Sequence, residues 1–377
     1  MELAFALFKY FPYGGLERDM LAMARVCQAR GHRVTIYTGG WQGEKPPDMR
    51  VVELPVRALT NHGRGTAFVA RLREQLSGSP DAVVVGFNKM PGLDFYYAAD
   101  VCFAAKAHEE RNLLYRLTPR SRHYIALERA VFGRASNTQV LMISRPQFAV
   151  YQRYYRTQDE RLHMLPPGIR RERVMPPDYT ERRAQLRAQY QLDDEDYLLL
   201  LVGSDFKRKG LDRAIRALAQ LPASLRRCVH LWVAGQDSEQ AYLQLAQSEG
   251  VADRVKILGG RDDISQLMWA ADALLHPAYS ENTGTVLLEG MVAGLPVIAS
   301  AVCGYAHYIE ENRLGAVLAD PVTPASLGAA IEEVLAQDAE IGRQRAREFA
   351  ARADIFSMTE RAAELIETLS AQERRRA

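Results

Sequence analysis

Residues 273–300 read ALLHPAYSENTGTVLLEGMVAGLPVIAS, and the order of apolar and polar residues in this stretch decides the fold. ALLHP (273–277) and PVIAS (296–300) are short apolar runs punctuated by proline, the pattern of strands buried on both faces. Between them AYSENTGT is a small polar loop, and a helix begins near Thr285 and runs through VLLEGMVAG. Strand, loop, helix and strand make one crossover unit of a parallel sheet. Two acids bracket the loop: Glu281 lies within it, and Glu289 follows about one turn into an otherwise apolar helix. A capped helix is the structural alternative for Thr285 and Glu289. Capping, however, needs neither Glu281 nor a lone charge in that helix.

The same rhythm extends outward. YLLLLVG (197–203), VHLWVAG (229–235) and VKILG (255–259) precede this unit, and LAFALF (3–8), RVTIYT (33–38), AVVVGF (82–87) and VLMIS (140–144) form an earlier set. Amphipathic segments such as 17–30 and 66–77 read as helices between the strands. The sets are separated by LPPGIRRERVMPPDY (165–179), whose two proline pairs cannot continue either element, so it reads as an interdomain hinge. A chain of 377 residues is also long for one core. The expectation is an α/β protein of two doubly wound Rossmann-like domains, 1–170 and 171–354, facing a central cleft. The helical residues 355–377 are expected to return towards the first domain. Ligands of such sheets sit at the carboxyl ends of the strands.

Composition is that of an ordinary globular protein, 47% hydrophobic and 25% charged with a net charge of +2. No run of eighteen apolar residues offers a membrane span. The opening MELAFALFKYFPYGG carries Glu2 and lacks a basic start, so it reads as a buried strand and not as a signal peptide. Cys27, Cys102, Cys228 and Cys303 are widely spaced, which argues against a disulfide framework or a zinc site and fits a reducing cytosol. Charge is unevenly divided: residues 1–170 hold 24 Lys+Arg against 15 Asp+Glu, and the remaining 207 hold 24 against 31. A basic half joined to an acidic half suggests that one domain faces something anionic, a chance imbalance being the alternative.

Three loops carry chemistry. In KYFPYGGLERD (9–19), Gly14 and Gly15 precede a helix and leave backbone N–H groups and a positive dipole end for a phosphate or sugar oxygen. A simple turn is the equal alternative. In GSDFKRKGLDRAI (203–215), Lys207, Arg208 and Lys209 crowd the start of a helix, where they oppose the dipole and one another. A bound diphosphate reverses that sign, whereas a solvated basic turn needs no ligand. The P-loop pattern is absent. Arg173, in the hinge, is a further candidate for those phosphates, with Arg170 and Arg171 competing. In the opening loop, Glu281 and Glu289 with Asn282, Thr283, Gly284 and Thr285 offer carboxylates and backbone N–H groups to the hydroxyls of a sugar or ribose.

Glu281 and Glu289, opening a helix that leads into AGLPVIAS (293–300), resemble the signature of the retaining glycosyltransferases of family four, which have the GT-B fold. The Gly-Gly turn, FKRKG (206–210) and GGRDDISQLMWAADALLHPAYSE (259–281) extend the resemblance. More narrowly, FKYFPYGGLERD, TNHGRG, VGFNKMPGLD, AADVCFA, YRLTPRSRHY, LPPGI and AVCGYAHYI look like the bacterial glucosyltransferases of the lipopolysaccharide core. The resemblance implies transfer of a hexose, glucose first, from a UDP-sugar to a heptose of the lipopolysaccharide inner core with retention. UDP-galactose or a UDP-amino sugar is the alternative donor. It also implies site roles. Glu281 would bind the donor sugar, Glu289 the ribose, Arg208 and Lys209 with Arg173 the diphosphate, Gly15 and Asp19 the donor from the first domain. The loop Gly260–Asp263, with Arg261, would hold the uracil. Asp100 is the candidate for orienting the acceptor hydroxyl, with His108 second.

The D-E-D run at 194–196 imitates a metal motif, but it precedes the amino end of a strand, the wrong end of the sheet. No metal and no cofactor are expected. The segment 103–132 holds six Lys/Arg and two His among Phe103, Leu113, Leu114, Tyr115, Leu117, Tyr124 and Phe132. This mixture suits the anionic inner face of a bacterial inner membrane; a solvated helical hairpin is the alternative. Nucleic acid is not expected, for no such motif accompanies it. The rivals of other classes are a non-hydrolysing UDP-sugar epimerase and a nucleotide-sugar sensor, neither of which needs the basic segment or acceptor-side features such as TNHGRG (60–65).

Overall fold

The computed structural model describes residues 1–12, 14–58, 60–109 and 111–376, without the side chains of Asn61, Glu373 and Arg376. Tyr13 of the Gly-Gly turn and Glu110 of the segment 103–132 therefore lie outside the described residues, as does the Asn61 side chain of TNHGRG. The chain divides into two compact units, Met1–Gly168 with Ser357–Ala377, and Ile169–Phe356.

Among the described residues, the first unit has seven parallel strands: β1 (Glu2–Leu7), β2 (Arg33–Thr38), β3 (Arg50–Glu53), β4 (Val83–Gly86), β5 (Phe95–Ala98), β6 (Gln139–Met142) and β7 (Leu162–Met164), in the order β3-β2-β1-β4-β5-β6-β7. The second has six: β8 (Tyr197–Val202), β9 (Val229–Ala234), β10 (Val255–Ile257), β11 (Ala273–His276), β12 (Val297–Ser300) and β13 (Gly315–Leu318), in the order β10-β9-β8-β11-β12-β13. Each sheet reverses its winding once, between β1 and β4 in the first and between β8 and β11 in the second. Loops at such a reversal diverge and leave a crevice for a ligand.

Both faces of each sheet are buried, which is why the strands read as continuous apolar runs. In β1, Leu3, Phe5 and Leu7 pack under the helix Gly15–Ala29, while Ala4 and Ala6 face Phe68 and Leu72 of the helix Asn61–Leu76. In β8, Leu198 and Leu200 join Leu287, Leu288 and Met291 of the helix Thr285–Val292, and Leu199 and Leu201 join Ala214, Ile215 and Leu218 of the helix Leu211–Gln220. The final helix, Met358–Arg376, lies in the first unit, where Met358, Ala362 and Ile366 enter the core beside Met20 and Met23. Glu367 ties it down by accepting from Arg30 (2.9 and 2.7 Å) and meeting His32 (2.6 Å), and the Arg30 hydrogen bonds with those of His32 hold its carboxyl down at about 2.

No helix among the described residues is long and apolar enough to cross a membrane. The segment 103–132 folds as three helices, Phe103–Glu109, Leu113–Leu117 and Pro119–Phe132. Leu113, Leu114 and Leu117 are 71–75% exposed. Phe132, expected on the same surface, is instead fully buried and stacks on Tyr151 at 3.6 Å. It closes the last turn of its helix, whose inner side carries the core residues Val131 and Phe132.

Candidate active site

In the second unit the crevice between β8 and β11 is built by two loops. After β8 the chain passes Asp205, a one-turn helix Phe206–Lys209 and Gly210 before the helix Leu211–Gln220. Buried Phe206 anchors the turn, and Asp205 caps it by accepting from the Arg208 N–H at 3.3 Å. Gly210 has φ +79°, and a Cβ there would fall 2.0 Å from the Pro277 carbonyl, so no other residue lets the two loops approach this closely. The loop after β11 is drawn in by a hydrogen bond from the Tyr279 N–H to the Arg208 carbonyl, 2.8 Å.

Glu281 thereby meets the basic turn. Its Oε2 accepts from Lys209 Nζ, from Arg208 Nη1 at 3.2 Å and from His276 Nε2 at 3.3 Å, and its Oε1 accepts from the Asn282 N–H at 3.1 Å. Lys209 and Glu281 expose only 12% and 10% of their side chains, so water screens the pair weakly. Burial by itself would raise the Glu281 carboxyl, but the His276 hydrogen bond and the Lys209 charge outweigh it and hold the group well below the carboxylate range. Oε1 keeps lone-pair capacity for a hydroxyl donor.

Three adjacent cations do not converge on one point, as the sequence suggested. Successive side chains on a helix point about 100° apart, so Lys207 leaves the group. It pairs with Asp212 at 3.1 Å and sits 4.6 Å over the Tyr279 ring, whose hydroxyl donates to the same Asp212 at 2.8 Å.

Glu289 is buried on the helix Thr285–Val292, with Arg173 Nε 3.6 Å from its Oε1. Arg173 also donates to Ser265 Oγ at 2.8 Å, so it stands with Glu289 and not with the Lys209–Glu281 pair. The helix has no side-chain cap: Gly284, at φ +79°, occupies the capping position before Thr285, and Thr283 is buried beside it. Arg261 is held by Asp263 through two hydrogen bonds of 2.8 and 2.5 Å. The run Asp193–Asp196 forms the turn before β8, its carbonyls at Asp193 and Asp196 accepting from Arg187. Among the described residues no group of three His, Cys, Asp or Glu is placed to hold a metal ion.

In the first unit the loops after β1 and β4 are joined by the Phe8 N–H donating to Asn88 Oδ1, 2.7 Å. Gly14 caps the helix Gly15–Ala29. A Cβ on Gly14 would lie 1.8 Å from Glu17 Oε2, so the glycine makes room for a carboxyl turned back to the helix start. Glu17 is 5% exposed, and burial, reinforced by Asp19 and Asp100, raises its carboxyl. Asp19 accepts from the Tyr97 hydroxyl at 2.9 Å. Asp100, exposed after β5, lines a cavity of about 540 Å³ with Lys89, Lys106, Arg111 and Arg120. His108 is not among that lining; its ring stands 5.8 Å from Tyr154.

The framework of this cavity is Glu128. Fully buried, it accepts from Lys89 Nζ (2.5 Å), the Phe103 and Ala104 N–H groups (2.7 and 2.9 Å) and the Tyr155 hydroxyl (2.7 Å). Sequence reading singled out neither Glu128, Lys89, Glu17 nor His276. Two had a signal: Glu128 is a lone acid in the basic helix Pro119–Phe132, and His276 is the one polar residue of β11.

Two Rossmann-like units, one bearing a carboxylate held by paired cations at its topological switch, define the GT-B class of glycosyltransferases. Residues 13–173 match the family described as Glycosyltransferase Family 4, and residues 182–353 match Glycosyl transferases group 1. The lipopolysaccharide glucosyltransferase WaaG of Escherichia coli K12 is 46% identical over 368 residues, 97% of this chain and 98% of that one. A crystal structure of WaaG, a glycosyltransferase involved in lipopolysaccharide biosynthesis, superposes with a TM-score of 0.91 at 46% identity, covering 97% of this chain and 99% of that one. A D-inositol 3-phosphate glycosyltransferase of Xylanimonas cellulosilytica is 26% identical over 392 residues, covering 96% and 93%. The chain belongs to the GT-B glycosyltransferase family of WaaG.

Proposed function

We propose that this glycosyltransferase moves glucose from UDP-glucose to a heptose of the lipopolysaccharide inner core, with retention at the anomeric carbon. The observation that carries the reading is the near end-to-end likeness to a lipopolysaccharide glucosyltransferase. The Lys209–Arg208–Glu281 cluster supplies fitting chemistry.

Breaking the sugar–phosphate bond places positive charge on the anomeric carbon and negative charge on UDP. Lys209 and Arg208 are the cations that take up the diphosphate charge, while Arg173 stays with Glu289. Their partner Glu281 holds them oriented in the absence of substrate, and they need little reorganisation when the charge develops. Glu281 Oε1 then accepts from a hydroxyl of the donor hexose, with Asn282, Thr283, Gly284 and Thr285 contributing backbone groups. Glu289 accepts from the ribose, Arg261 and its loop hold the uracil, and Gly15 and Asp19 also touch the donor. The acceptor oxygen attacks on the face from which UDP departs and passes its proton to a donor phosphate oxygen, with Asp100 orienting the hydroxyl. No metal and no cofactor enter this scheme.

The helix Leu113–Leu117 supports a peripheral place on the inner face of the inner membrane, because three exposed leucines neighbour Arg111, Arg116 and Arg120. Such a position brings the protein to a lipid-anchored acceptor.

The test is transfer from a panel of UDP-hexoses to heptose-terminated lipopolysaccharide, with Glu281→Ala and Lys209→Ala in parallel. Product from UDP-glucose, lost in both variants, supports the reading. Tight UDP-glucose binding with no transfer, or interconversion of free UDP-sugars, overturns it.

A further inference from the structure

A second cavity of the first unit, about 870 Å³, is lined by residues that follow β1, β2 and β3 and by two helices, Asn61–Leu76 and Pro119–Phe132. It shares Phe8, Tyr124 and Leu127 with the cavity of Asp100, so the two adjoin. Its charge is one-sided. Lys9, Arg57 and Arg64 line it beside the imidazoles of His62 and His123, and among the described residues no Asp or Glu does.

Among the described residues these groups have little compensation. Lys9 and Arg57 have no ion-pair or hydrogen-bond partner among the described residues. Arg64 spends only its Nε, on the Ala58 carbonyl at 3.1 Å. The His62 and His123 rings stand 5.6 Å apart, and His123 Nε2 is enclosed without a hydrogen-bond partner. The contrast with the second unit is informative, because there Lys207, Arg208 and Lys209 each have a carboxylate. A concave surface that gathers cations without an acid to neutralise them raises the local concentration of anions and gains from binding one.

We propose that this cavity is an anion-recognition subsite for the acceptor: it takes an acidic substituent, phosphate monoester or carboxylate, of the saccharide whose accepting hydroxyl enters the Asp100 cavity. The inference rests on the transferase reading above. Lys9 and Arg57 are the groups that gain most, since they have no other partner, and Arg64 and the two imidazoles complete the donor set. Neither Lys9 nor Arg57 belongs to the donor machinery, so the subsite sets acceptor affinity and leaves the chemical step alone.

The experiment uses the whole chain and UDP-glucose with three acceptors: heptose-terminated lipopolysaccharide, its phosphatase-treated form and its carboxyl-reduced form. Wild type is compared with Lys9→Gln/Arg57→Gln. The double variant is expected to raise acceptor KM about tenfold or more while kcat and donor KM stay unchanged. Whichever treatment removes the docking group raises wild-type KM to the same degree and leaves the variant unaffected, which tells phosphate from carboxylate. Equal acceptor KM for wild type and variant on all three acceptors overturns the subsite while leaving the transferase intact. No transfer by wild type to any acceptor overturns the transferase reading, and the subsite with it.

Discussion

Lys209 and Glu281, 72 residues apart in the chain, form a shielded ion pair at the carboxyl ends of β8 and β11. Each side chain presets the other: the carboxylate keeps the ammonium in place, and the ammonium keeps the carboxylate ionised. Lys209→Ala is expected to lower kcat by about 10²–10³, the usual cost of losing one preorganised group at a developing charge. Glu281→Gln keeps the side-chain shape but releases both cations, and raises donor KM as well. Steady-state kinetics with UDP-glucose decide this; unchanged kcat in Lys209→Ala would remove the lysine from the mechanism.

Acid stability follows from the same cluster. Burial lowers the His276 imidazole below its ordinary 6.5 despite the opposing Glu281. The folded chain therefore keeps His276 neutral while the unfolded chain takes up a proton, and stability is lost as pH falls through 6.5 towards the lower folded value. His123 and His163, also lowered by burial, act in the same direction. Glu281 is the complementary case: its carboxyl is held below the ordinary 4.5, so its contribution is complete above that pH and lost further into acid. Urea denaturation across a pH series should show a shallower slope just below pH 6.5 in His276→Gln. In Glu281→Gln the change should fall below pH 4.5. Parallel curves for wild type and His276→Gln would refute the assignment.

Glu128 is a structural centre of the first unit. Glu128→Gln leaves Lys89, itself 12% exposed, without its counter-charge. Removing one partner of a buried pair costs about 3–5 kcal/mol. Replacing both, in Lys89→Met/Glu128→Gln, should recover part of that loss. Denaturation midpoints of the two single variants and the double variant test the coupling, and additive losses would show that the pair does not act as one unit.

The proposed membrane attachment through the helix Leu113–Leu117 has its own signature. Leu113→Ser/Leu114→Ser/Leu117→Ser should abolish sedimentation with vesicles containing anionic lipid, and raised salt should weaken binding of the wild type. Transfer to a detergent-dispersed acceptor should survive. Retained vesicle binding in the triple variant would place the contact elsewhere.

Glu289 and the metal question are tested together on the donor. If Glu289 accepts from the ribose as proposed, Glu289→Gln should raise donor KM about tenfold or more. A chelator should leave the wild-type rate unchanged, because in the proposed scheme Lys209 and Arg208 meet the leaving group. A rate that collapses with EDTA and returns with a divalent cation would contradict that scheme.

Periodicity by itself determined the architecture. A strand covered on both faces must be apolar throughout, so β1, β2, β4, β6 and β8 to β12 stand out as runs, and two sets separated by paired prolines become two domains. The strands that escaped were short: β3 (RVVE), β7 (LHM) and β13 (GAVL) are sheet edges with fewer apolar neighbours, and central β5 (FYYA) is four residues long. Residue types at the candidate site were legible too, since three cations at a helix start and a lone acid in an apolar helix are each unfavourable without a partner. Partnership was not. Lys207, Arg208 and Lys209 are equivalent as letters; the one-turn helix sends Lys207 to Asp212 and the other two to Glu281. His276 and Glu128 were hidden for the same reason, because a buried polar residue declares its role only through the groups it meets. Those meetings depend on β8 lying beside β11 and on the helix Pro119–Phe132 packing against the helix Phe103–Glu109. Pattern along the chain records which face of an element is buried, and only the packing of distant elements selects the atoms that face each other.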